Sequence, residues 1–124
     1  MSKVSVRYIV NDVDAAIPFY VENFGFQVDM HPAPGFARLS KGDLLLLLNR
    51  PGAGGAGQAM NDGQVPAPGG WNRFQIEVED LEAIVEKLKK AGCSFRSEII
   101  TGVGGKQILV NDPSGNPVEL FQSF

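Results

Sequence analysis

The chain of 124 residues contains one cysteine and one histidine. A lone thiol, Cys93, permits no internal disulfide, which fits a reducing compartment. A lone imidazole, His31, has no motif around it, so no Ser-His-Asp or Cys-His set can be assembled. Long apolar runs are also missing. The longest, residues 44–48, holds five leucines, where a membrane-spanning helix needs about 20 apolar residues. The opening MSKVSVRYIV lacks the extended apolar segment of a secretory signal. No basic stripe exists either. Lys and Arg are scattered apart from Lys87, Lys89 and Lys90, and the net charge is −3 with a pI near 5.0. Nucleic acid and membrane are therefore excluded as expected partners, and a cytoplasmic protein is expected.

What remains is ordinary globular material. Apolar residues make up 44% and charged residues 20%, enough for one core in one domain of this length. Residues 4–10 alternate, with Val4, Val6, Tyr8 and Val10 on one face and Ser5, Arg7 and Ile9 on the other, and predict a strand. Asn11-Asp12-Val13-Asp14 offers helix caps, and residues 15–23 predict a helix with Ile17, Tyr20 and Val21 facing a core and Phe19 close by. Pro18 fits only near its start, and Gly25 suits its end. Residues 26–30, 35–39 and 44–49 predict three strands. Residues 50–70 hold seven glycines and three prolines and read as a long loop or linker.

The pattern then begins again. Residues 72–78 predict a strand with Phe74, Ile76 and Val78 on one face and Arg73, Gln75 and Glu77 on the other. Asp80 caps a helix whose Leu81, Ile84, Val85 and Leu88 form an apolar stripe, and Gly92 ends it. Residues 94–99, 106–110 and 117–121 predict three further strands. V-N-D-V-D-A-A-I at residues 10–17 repeats as V-E-D-L-E-A-I-V at 78–85, an offset of 68. Repetition at this scale is a stronger signal than any single motif. Strand-helix-strand-strand-strand, written twice, predicts an α+β fold. Each unit buries one sheet face under its helix and curves the other around a shared concavity. The expected division is unit one at 4–49, a linker at 50–70 and unit two at 71–122, within a single domain 1–124.

The repeat, the V-x-D-(V/L)-(D/E)-A helix openings, Phe19-Tyr20, Phe24-Gly25-Phe26 and the ending D-P-S-G-N-P-V-E-L-F together resemble the vicinal oxygen chelate superfamily. That group includes glyoxalase I, extradiol dioxygenases, methylmalonyl-CoA epimerase and the fosfomycin- and bleomycin-resistance proteins. The resemblance spans nearly the whole chain outside the linker. It implies paired βαβββ units making a cupped eight-stranded mixed sheet, usually in a homodimer. Fold alone does not fix the reaction.

Metal-dependent members of that family carry ligands on the first and last strand of each unit. Counting back from Asp12 and Asp80 puts the first-strand positions at Ser5 and Arg73. The last-strand position of unit two is Glu119, and aligning G-D-L-L-L with G-N-P-V-E gives Leu46 in unit one. A hydroxyl, an alkyl group, a guanidinium and one carboxylate do not compose a metal site, because open catalytic sites use about three lone-pair donors. The expectation is therefore no metal and no cofactor.

Two readings of Arg73 and Glu119 stand side by side, provided the strand register holds. They form a salt bridge that satisfies two otherwise costly charges, or Arg73 holds Glu119 on one edge and an anionic or carbonyl-bearing ligand on the other. Arg7 and Gln75 share the faces of Ser5 and Arg73. Arg7 contacts ligand or faces solvent or a dimer partner. Phe121 and Leu48 supply an apolar floor or ordinary core. Trp71 flanks a cavity mouth or packs where unit two begins. Gly102-Val-Gly-Gly105 is no phosphate loop, because a strand follows it. The expected function is binding of a small organic ligand by Arg7, Arg73, Gln75, Glu119 and Ser5. The alternatives are a glyoxalase-type lyase, isomerase or dioxygenase with Glu119 as general base, and a cup filled by side chains.

Overall fold

The computed structural model describes residues 3–124. The chain divides into two units, one ending at Gly69 and the other running from Gly70 to Phe124. In the first, β1 (Ser5–Ile9) leads to α1 (Val13–Phe24), then β2 (Gln27–Ala33), β3 (Phe36–Lys41) and β4 (Leu44–Asn49). In the second, β5 (Gln75–Glu77) leads to α2 (Leu81–Lys90), then β6 (Ile100–Thr101), β7 (Gly105–Asn111) and β8 (Pro117–Ser123). Each unit forms its own four-stranded mixed sheet, ordered β1-β4-β3-β2 and β5-β8-β7-β6. The first strand of each lies parallel to the last, and the remaining pairs are antiparallel. The repeated βαβββ pattern expected from the sequence is the architecture found.

Both helices start the same way. The carboxylate of Asp12 accepts from the Ala15 amide at 3.3 Å, and that of Asp80 from the Ala83 amide at 3.0 Å, so each cap satisfies one orphan donor of the first turn. Gly25 closes α1 in the left-handed region at φ 72° and donates to the carbonyls of the preceding turn. In unit two the left-handed residue comes one position later, at Gly92, after Ala91 has already ended α2. Helix α1 is longer than expected. It buries Val13, Ala16, Phe19, Tyr20 and Phe24, with Phe19, Tyr20, Phe24 and Phe26 in edge-to-face contacts of 4.9–5.5 Å. Ile17 and Val21, expected in the core, are only half-buried. Pro18 lies in the second turn, and α1 continues through it.

Strand alternation sorts the sheet faces. In unit one, Tyr8, Leu39, Leu46 and Leu48 are buried, while Arg7, Leu47 and Arg38 form a row across β1, β4 and β3 on the opposite face. In unit two, Ile108, Val118 and Leu120 are buried, while Gln75, Glu119 and Leu109 form the matching row across β5, β8 and β7. Leu48 is therefore core, not the floor of a ligand cup.

Two expectations about extended structure need correction. Residues 94–99 are not a strand. Phe95 makes a single bridge to Val110, and β6 is only two residues long. Within this stretch the Arg96 guanidinium reaches Asn111, Gly70 and Gly115. Residues 72–74 are likewise outside β5, although the Phe74 carbonyl accepts from the Glu119 amide at 3.1 Å.

The turn before β8 is tied by one buried carboxylate. Asp112, 4% exposed, accepts from the amides of Ser114 and Asn116, both at 2.9 Å, and from the Asn116 side chain at 3.1 Å. Replacing it by alanine leaves buried donors unsatisfied. Asp112→Ala is expected to lower stability by about 2 kcal/mol, measured as a shift of the urea midpoint. A loss under about 0.5 kcal/mol, the range of neutral surface changes, would show that the turn closes without it.

Candidate functional site

The parallel register of β5 and β8 sets Gln75 directly beside Glu119. Arg73, two residues earlier, reaches the same carboxylate. Its Nε and Nη2 donate to Glu119 Oε1 at 3.0 and 2.8 Å, and Gln75 Nε2 donates to Oε2 at 2.6 Å. Glu119 is 9% exposed, so this clamp answers the cost of burying its charge. The Arg73 guanidinium also donates from Nη1 to the Trp71 carbonyl at 3.2 Å. Three of its five N–H groups are then engaged, and two remain for a ligand.

Beside this clamp lies a cleft of about 320 Å³ lined by Trp71, Arg73, Arg96, Ile100, Gln107 and Leu109, among others. Trp71 is 69% exposed, and the Arg96 guanidinium lies 4.7 Å from its ring centroid, a cation–π contact. Trp71 thus lines the cleft and is not packed away from solvent. Arg96 was missed in the sequence. Its signal, a cation inside a predicted strand, is too common to stand out. Phe121 pairs with Gln107 on the Glu119 face and is half-buried.

Ser5 and Arg7 stand on β1 of the first unit, both exposed, on the face away from the buried leucines. Arg7 Nη1 donates to the side-chain carbonyl of Asn49. The registers also correct the expected counterpart of Glu119. Arg7 pairs with Leu47 as Gln75 pairs with Glu119. The counterpart is therefore Leu47. Leu46, the residue expected, matches buried Val118 and faces the core. A one-residue error in matching the turns before the strands inverts the face.

A family model, Glyoxalase/Bleomycin resistance protein/Dioxygenase superfamily, matches residues 4–120. The chain belongs to that superfamily. Solved structures agree in fold. The lactoylglutathione lyase of Agrobacterium tumefaciens is 20% identical, with 98% of this chain and 92% of that one covered and a TM-score of 0.73. TnmS3, an antibiotic-binding protein from Streptomyces sp. CB03234, is 23% identical, with coverage of 100% and 97% and a TM-score of 0.72. A superfamily member from Sphaerobacter thermophilus is 22% identical, with coverage of 99% and 98% and a TM-score of 0.76. No curated protein matches this sequence.

The superfamily's metal positions do not fit an ion in this member. They fall on Ser5, Leu47, Arg73 and Glu119, and Arg73 occupies the carboxylate that would be the one good donor. Among the described residues no three His, Cys, Asp or Glu side chains converge. His31 lies 3.5 Å from Asp14, outside this set. Burial pushes the Cys93 thiol up from its ordinary pKa, which makes it a poor nucleophile. No helix among the described residues is long and apolar enough to cross a membrane.

Proposed function

We propose that this superfamily member binds a small anionic or oxygen-rich organic molecule without a metal, as a cytoplasmic homodimer. Arg73 and Gln75 contact the ligand next to Glu119, and Ser5 and Arg7 are the polar candidates on the first unit's own sheet. The observation that carries this reading is the Arg73–Glu119 clamp. It fixes a guanidinium at the rim of a cleft with two donors unspent, in a geometry suited to a carboxylate or a carbonyl. The cleft's mixture of an aromatic ring, aliphatic side chains and a few polar groups is that of a small-molecule site. The similarity in fold to an antibiotic-binding protein is consistent with sequestration.

The second reading is an enzyme with Glu119 as general base, which the fold similarity to a lactoylglutathione lyase keeps in view. Three hydrogen bonds already converge on that carboxylate. Both oxygens of Glu119 are thus engaged in holding Arg73 and Gln75 in place, a positioning role that needs no proton transfer, so binding is favoured over catalysis. The test is a thermal-shift and calorimetry screen of small acids and aromatic drugs. Saturable binding that Arg73→Ala weakens at least about tenfold, the cost of a charge-assisted hydrogen bond, is expected, with no turnover. Turnover abolished by Glu119→Gln would overturn sequestration. Stoichiometric Zn, Ni, Fe or Mn in the purified protein would overturn the metal-free assignment.

A further inference from the structure

The glycine-rich segment after β4 is more than a tether. The Ala53 amide donates to the Arg50 carbonyl at 3.0 Å, Gly57 to Ala53 at 3.0 Å, and Gly52 to Gly57 at 2.6 Å. Residues 50–57 are thereby wound into a compact turn. A Cβ on Gly57 would collide with the Arg50 and Ala53 carbonyls, and one on Gly35 with the Ala53 methyl. Both glycines are required by this close packing, and neither has a positive φ. Buried Asn49 ties the turn to the sheet. Its amide nitrogen donates to the Ala53 carbonyl at 3.4 Å, and its oxygen accepts from Arg7.

Between this turn and the end of β2 lies a cleft of about 600 Å³. Pro32, Pro34 and Phe36 line one side, and Ala53 and Ala56 the other. Arg7 and Arg50 both border it. Neither pairs with a carboxylate among the described residues. Two uncompensated guanidiniums on one apolar cleft are unusual in a chain of net charge −3. Elsewhere Arg73 carries its own acid.

We propose that this first-unit cleft is a ligand site in its own right, taking an aryl carboxylate or sulfonate of one or two rings. The proline, phenylalanine and alanine walls receive the flat apolar body. Arg50 and the free edge of Arg7 receive the anionic group, with the planar fork matched to a two-oxygen acceptor. Asn49 is a positioning residue that holds the Arg7 fork toward the cleft. All of its lining residues belong to the first unit; it shares Arg7 with the reading above and needs no residue of the Arg73–Glu119 clamp.

The test is backbone-amide NMR titration of the whole chain with 2-naphthoate and with its neutral analogue, 2-naphthalenemethanol. Naphthoate is expected to shift Gly35, Asn49, Ala53 and Ala56 saturably, with the alcohol at least about tenfold weaker. Arg50→Ala, a change at an exposed side chain, should weaken naphthoate about tenfold, and Arg50→Lys should restore part of that loss. Equal affinity for acid and alcohol, an unaffected Arg50→Ala variant, or no saturable shift at these amides would overturn the proposal. Shifts confined to Trp71, Arg96 and Leu109 would overturn it while supporting ligand binding at the Arg73 clamp.

Discussion

Leu46→Glu is expected to destabilise the protein by about 4 kcal/mol or more, whereas Leu47→Glu, one residue on, should cost less than about 1 kcal/mol. The difference is a matter of face. Leu46 is completely buried, beside Leu39 of the neighbouring strand. A carboxylate there must shed its water with no donor to replace it, or take up a proton and remain an unpaired polar group. Leu47 is half-exposed and pairs across the ladder with Arg7. A glutamate at 47 would occupy the position that Glu119 holds in the other sheet, next to a guanidinium. Urea unfolding of the two variants reads the difference directly. Equal losses, or a larger loss at position 47, would mean that β1 and β4 are paired one residue away from the register described.

The second large effect concerns Arg73. Removing it leaves Glu119 buried with only Gln75 as a donor. Breaking a buried pair by deleting one partner costs about 3–5 kcal/mol. Arg73's side chain is 29% exposed, so water recovers part of that, and Arg73→Ala is expected to cost about 2–3 kcal/mol. The double change Arg73→Met with Glu119→Leu removes both charges and keeps most of the volume. It should fall within about 1 kcal/mol of the parent, because well-packed apolar replacements of buried pairs are often neutral. Thermal and urea unfolding on the three proteins decides the matter. A double variant as unstable as Arg73→Ala would show that packing around these side chains, not charge compensation, sets the stability. The double variant should also lose any ligand held at the clamp, which separates stability from binding.

The two βαβββ units were legible because the cues were local and came twice. Asp12 and Asp80 are helix caps by type and position, and the apolar alternation around Tyr8 and Ile76 assigns faces without knowledge of partners. The encounter of Arg73 with Glu119 was also accessible, since it follows once the first and last strands of a unit are neighbours. The counterpart of Glu119 was not. Leu47 follows its turn glycine, Gly42, by five positions and Glu119 follows Gly115 by four, so aligning the glycines misses by one, and only the pairing of Leu47 with Arg7 and Glu119 with Gln75 reveals it. Composition placed a loop at residues 50–57 but could not show its tight winding. Glycine there suggests freedom, yet Gly57 and Gly35 are small because other atoms already fill the space. Nor could Arg96 be read as a hub, because its acceptors lie 15, 19 and 26 residues away.

Every strand pairing stays on its own side of residues 65–69. A cut in the backbone between Val65, which is exposed, and Pro66 would sever no rung of either ladder. The stretch is therefore a seam at which new termini or an inserted tag could be introduced while each half keeps its own pattern of strands.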